Sequence, residues 1–105
     1  MNRGEIRMYR FAPPDKERPV LILTRTSILP YLGEVTIAPI TSTIYGIPSE
    51  IRLGIADGLK KDCAINLDHI QTVSQSKVGR FISTLSSMKM LEVKSALLFA
   101  LGFDE

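Results

Sequence analysis

Two apolar runs of strand length constrain the fold of this chain more than any other feature: Pro19-Val20-Leu21-Ile22-Leu23-Thr24 and Val35-Thr36-Ile37-Ala38-Pro39-Ile40-Thr41-Ser42. The first carries no charge and is too short for an ordinary helix, so it reads as a strand buried on both faces. Arg18 opens that run, and the hydroxyls of Thr41 and Ser42 close the other. A cation at one strand mouth and an alcohol at another can converge on a phosphate.

The remaining elements are short and are punctuated by six prolines and seven glycines. Residues 4 to 11 are β-compatible, and Pro13-Pro14-Asp15 stops them with turn chemistry. A helical turn fits after Thr26, before Pro30. Across residues 47 to 55, Ile47, Ile51, Leu53 and Ile55 fall on one side, with Glu50 and Arg52 on the other, which predicts a strand with one wet face. Residues 64 to 73 place Ile65 and Leu67 on one parity and Asn66 and Asp68 on the other. The phase then switches at His69-Ile70, as a bulge or bend would require.

Arg80 to Leu85 makes a further short strand, after which Ser86-Ser87 offer N-caps for a helix ending near Leu101, with Gly102 as its stop. Leu91, Leu98 and Leu101 form its expected core stripe, widened by Met88, Val93 and Leu97. The fold class that follows is mainly β with α: a small, strongly bent antiparallel sheet or partial barrel with a C-terminal helix packed on it.

The 105 residues and 11.7 kDa imply one domain spanning residues 1–105. No apolar stretch reaches the roughly 18 residues of a membrane span, and Met1-Asn2-Arg3-Gly4-Glu5 has no signal-peptide core, so the expected location is the cytoplasm. Cys63 is the only cysteine, which excludes an intramolecular disulfide. It reads as a small buried residue at a strand start. One histidine and one cysteine without paired-ligand spacing give no support for a metal site, and no cofactor is expected. A net charge of +2 permits nucleic-acid binding without demanding it. Lys60, Lys61 and Arg80 read as solvated charges, with phosphate tracking as the alternative.

Five blocks in order resemble the MazF/PemK toxin family. They are Arg3-Gly4-Glu5-Ile6; Arg18-Pro19-Val20-Leu21; Ala38-Pro39-Ile40-Thr41-Ser42; Gly58-Leu59-Lys60-Lys61-Asp62; and Leu67-Asp68-His69-Ile70-Gln71-Thr72-Val73. The resemblance continues through Lys77-Val78-Gly79-Arg80 and Leu85-Ser86 into the final helix. It implies the SH3-like barrel of MazF, Kid and CcdB toxins, and a metal-independent, sequence-selective endoribonuclease acting on single-stranded RNA, whether messenger, transfer or ribosomal. It also implies a homodimer inhibited by a cognate acidic antitoxin, with DNA reached only through the antitoxin complex.

By the same resemblance Arg18 and Thr41 are the catalytic pair, and Ser42, Asn66, Asp68 and His69 are RNA-binding positions. Departures from the family pattern fall at His69, where glutamine is usual, at Gln71, where arginine is usual, and at Asn66, where some members carry arginine. The loop from Phe11 to Glu17 is also shorter than the family's.

RNA can be cut without a metal when its own 2′-hydroxyl attacks the adjacent phosphate. The products are a 2′,3′-cyclic phosphate and a 5′-hydroxyl. Arg18 suits stabilisation of phosphoryl charge, because guanidinium stays protonated and presents a planar fork. Thr41 suits positioning, since its hydroxyl does not ionise near neutrality. His69 has the one side chain whose unperturbed pKa, about 6.5, fits proton transfer; catalysis, RNA contact and a structural role all remain open for it.

Two other readings compete. One is a non-enzymatic toxin of the same fold that binds a protein target, as CcdB-like gyrase poisons do; those end in Trp-Gly-Ile, and this chain has no tryptophan. The other is a barrel that binds RNA without cutting it.

Overall fold

Val20, Leu21 and Ile22 expose no surface at all, and this burial on both sides organises the molecule. Val20 and Ile22 pack with Leu29, Val35 and Ile37, partly covered by Tyr9 and Phe11. Leu21 faces the other way, into the larger cluster of Ile6, Ala38, Ile40, Ile65 and Leu67, closed off by Val93 and Ala96 of the helix. A strand between two apolar clusters needs an unbroken hydrophobic sequence, and residues 19–24 supply it.

The computed structural model describes residues 1–14 and 16–104. Its strands are β1 (Glu5–Arg10), β2 (Glu17–Ile22), β3 (Glu34–Thr41), β4 (Glu50–Leu53), β5 (Cys63–Asn66), β6 (Gln71–Ser74) and β7 (Val78–Thr84), followed by the helix α1 (Ser87–Leu101). The pairing order is β4-β5-β3-β2-β1-β7, with β6 also on β3. The pairs are antiparallel, and the sheet is bent and open. Among the described residues no helix is long and apolar enough to cross a membrane.

Sequence expectations are corrected at four places. The phase switch at residues 67 to 70 is not a bulge within one strand. The strand stops at Asn66, Leu67–His69 form a 3-10 turn, and β6 begins at Gln71. β5 and β6 then share one edge of β3, opposite residues 40–41 and 34–37 respectively, so the turn steps the chain from one part of that edge to the other.

The alternation over residues 47 to 55 is real only at its centre. Ile51 and Leu53 are buried, whereas Ile47 and Ile55 are exposed. Glu50 is buried rather than wet, because its carboxylate accepts hydrogen bonds from the backbone N–H groups of Tyr45 and Gly46. A buried carboxylate requires such donors.

The helix ends fall where the sequence places them. The Ser86 hydroxyl accepts from the Lys89 N–H, and Gly102 stops the helix at φ 78°. Its buried face does so only in part, at Val93 and Leu97. Val93 and Ala96 meet the sheet, flanked by Met90, Leu97 and Ala100, while Met88, Leu91, Leu98 and Leu101 are exposed. Residues 26–31 form a 3-10 helix that includes Pro30 instead of stopping before it.

Candidate functional site

β2 and β3 pair with Val20 opposite Pro39. Continued two residues toward the strand mouths, that register sets Arg18 across from Thr41. Both side chains line one cleft of about 440 Å³, which also takes in Ser42. The volume lies within the range of about 300 to 1,000 Å³ usual for ligand sites. The geometry therefore joins the two catalytic candidates and Ser42 in a single concavity.

Arg18 is held by stacking. Its guanidinium carbon lies 5.6 Å from the centre of the Phe11 ring, and Tyr9 meets Phe11 edge-on at 4.8 Å between centroids. An aromatic face attracts a cation and steadies its planar fork, the shape that matches a phosphate. Thr41 ends β3, and its hydroxyl donates to the Thr43 carbonyl at 3.1 Å. That bond orients the oxygen lone pairs as acceptors. The loop beyond is anchored by Glu50 through Tyr45 and Gly46.

The opposite wall comes from the loop after β4 and from β7. Asp57 accepts from the Gly54 N–H, and the Ser83 hydroxyl donates to the Asp57 carbonyl at 2.7 Å, fastening the loop to β7. Gly58 turns at φ 92°, and a Cβ there would stand 2.6 Å from the Ser83 Cβ. This close turn delivers Lys60 and Lys61 to the cleft, where Arg80 and Lys16 add charge. Lys60, Lys61 and Arg80 are exposed, as solvated charges should be, and they also line the cleft; their convergence depends on how the loop meets β7.

Asn66, Asp68 and His69 stand outside the residues lining the cleft. Asn66 is buried, and its Oδ1 accepts the Asp68 N–H at 2.9 Å, capping the 3-10 turn. Asp68 is exposed and accepts a 2.6 Å hydrogen bond from the buried Ser49 hydroxyl. His69 is exposed on the same turn, not packed among the apolar residues of its neighbouring strand.

Cys63 is buried at the start of β5, as its sequence position predicts, and borders the cleft. Burial pushes its thiol pKa up, and the nearby charges of Asp57 and Asp62 push the same way, against the smaller opposite effect of Lys61. The sulfur therefore stays protonated and is a poor nucleophile at neutral pH. Among the described residues, no group of three His, Cys, Asp or Glu side chains could hold a metal ion.

A bent, open antiparallel sheet with a cationic cleft at the mouths of two central strands, capped by one helix, is the architecture of a small MazF-like toxin. Residues 2–101 match the family described as the PemK-like, MazF-like toxin of type II toxin–antitoxin systems, and the chain belongs to that family. It is 35% identical to "Endoribonuclease MazF3" of Mycobacterium tuberculosis over 99 residues, covering 94% of this chain and 96% of that protein. The solved "Mycobacterium tuberculosis toxin MazF-mt6" superposes with a TM-score of 0.87 at 34% identity, covering 93% of this chain and 96% of that one. A mycobacterial "endoribonuclease in complex with its cognate antitoxin" shares the fold with a TM-score of 0.86 at 24% identity, covering 97% of this chain and 95% of that one.

Proposed function

We propose that this chain is a metal-independent endoribonuclease toxin. It cuts single-stranded RNA in the cytoplasm, works as a homodimer and is held inactive by a cognate antitoxin. The observation that carries this reading is the pairing of Arg18 with Thr41 across one cationic cleft. Support comes also from relatives named as endoribonucleases and from a structural neighbour solved with its antitoxin. The exposed leucines of α1 supply an apolar surface for a second copy.

In the proposed reaction, an RNA phosphate sits against Arg18, with flanking phosphates near Lys60, Lys61 and Arg80. The Thr41 oxygen, already donating to Thr43, accepts from the ribose 2′-hydroxyl and orients it toward phosphorus. The 2′-oxygen bonds to phosphorus as the bond to the 5′-oxygen breaks. The 2′-hydroxyl proton leaves to solvent water, and the departing 5′-oxygen takes one from solvent water. Negative charge grows on the non-bridging oxygens, where Arg18 meets it.

Ser42 contacts the RNA beside Thr41. Asp68 and His69, exposed on the turn after β5, serve nucleotides outside the cleft and take no part in the bond changes. Asn66 is given no RNA role.

The test is cleavage of several single-stranded RNAs by purified protein in excess chelator, with mapping of the 5′ ends. Wild-type protein should leave 5′-hydroxyl and 2′,3′-cyclic phosphate ends. Arg18→Ala should lower kcat/KM by about 100- to 1,000-fold with unchanged circular dichroism. Cleavage that depends on added magnesium, or an unaffected Arg18→Ala protein, would refute the assignment.

A further inference from the structure

Phe81 is an aromatic residue left half exposed, at 50%, where it lines the cleft shared by Arg18 and Thr41. Apolar surface left in water forgoes burial free energy, and a fully buried aromatic ring would regain it. The ring is also held in place. It sits on β7 directly opposite Arg7 of β1, whose guanidinium carbon lies 5.8 Å from the ring centre. Arg7 is fixed in turn by Glu5 at 2.8 Å and by the Gly79 carbonyl at 3.2 Å. The strands approach closely beside it, since a Cβ at Gly79 would stand 3.1 Å from the Met8 carbonyl oxygen.

We propose that Phe81 is a stacking platform for one base of the bound RNA, so that it seats a nucleotide beside the scissile linkage. The inference rests on the RNA-cutting reading above and adds a residue that the family blocks do not assign. Unpaired bases bind proteins largely by stacking on aromatic faces, and each base has a face to offer. Arg7 behind the ring fixes its orientation in advance, so little side-chain freedom is lost when a base arrives. Arg80, the preceding residue, brings a positive charge to the same cleft for the phosphate of the seated nucleotide. The platform supplies affinity for a planar base, and Arg18 and Thr41 supply the chemistry.

The experiment uses a short single-stranded RNA carrying a mapped cut site, together with versions in which one flanking nucleotide at a time is abasic. Wild-type, Phe81→Ala, Phe81→Leu and Phe81→Tyr proteins are compared in chelator. Phe81→Ala and Phe81→Leu should lower kcat/KM by about 5- to 150-fold, chiefly through KM, and Phe81→Tyr should restore it. One abasic position should cost the wild type a similar factor and cost Phe81→Ala nothing further. Equal kinetics for Phe81→Ala and wild type, or abasic penalties unchanged by the substitution, would overturn the platform.

If the wild-type protein cuts no RNA, the cleavage reading fails separately. The platform is then judged by fluorescence anisotropy with labelled random single-stranded RNA. Weaker binding by both Phe81→Ala and Phe81→Leu would retain it. Unchanged RNA binding, including the case where only antitoxin binding suffers, would remove it.

Discussion

At the scale of single residues, the molecule places charge where it is held by several donors. Glu5 shows this most clearly. Burial alone would raise the pKa of its carboxyl, but the Arg7 hydrogen bond, the Asn2 backbone, the Arg7 charge and the Asn2 side chain together outweigh that effect and lower it. A carboxyl more acidic in the folded chain than in the unfolded one adds stability above its unfolded value, about 4.5, and that contribution is lost as pH falls through the lower folded value. Glu5→Gln should therefore melt below wild type at pH 7, and the gap should close as the pH is taken well below 4.5. Paired thermal melts across that range check it. Arg18 differs in being steadied by an aromatic ring, that of Phe11.

Among the elements, the loop between β4 and β5 does the most to shape the cleft, and Gly58 is its tightest point. A side chain there would meet Ser83 and would also strain a backbone at φ 92°. Gly58→Ala should destabilise the fold by roughly 1 to 3 kcal/mol and weaken RNA binding by displacing Lys60 and Lys61, which denaturant unfolding and anisotropy measure independently. The β2 run and both ends of α1 were legible in the sequence because their causes are local: unbroken apolar residues, a serine cap and a stop glycine. The buried face of α1 was legible only at Val93 and Leu97. Leucine, methionine and phenylalanine surround that helix, so periodicity favoured Leu91, Leu98 and Leu101 over the small Ala96 that fits against the sheet. The break at Leu67–His69 was visible as a phase change, but its form was set by β3, which offers one edge to two successive strands.

For the whole molecule, the site is an assembly of distant segments. Arg18 and Thr41 could be matched through a family resemblance, and the register of β2 and β3 brings them into one cleft. The cationic wall of Lys60, Lys61 and Arg80 depended on contacts that only the complete fold creates. The outer face of α1 remains a broad apolar surface with Leu91 and Leu98 exposed. If that face joins two copies, the double substitution of Leu91→Lys and Leu98→Lys should shift the mass in light scattering from a dimer to a single 11.7 kDa chain, with the helix content retained.

The first strand lies inside the sheet, between β2 and β7, and β7 is among the last segments of the chain. A growing polypeptide therefore holds Arg18 and Thr41 long before it has the Arg80 and Phe81 wall that faces them. Synthesis itself delays completion of the cleft, which cannot form in full until β7 has left the ribosome.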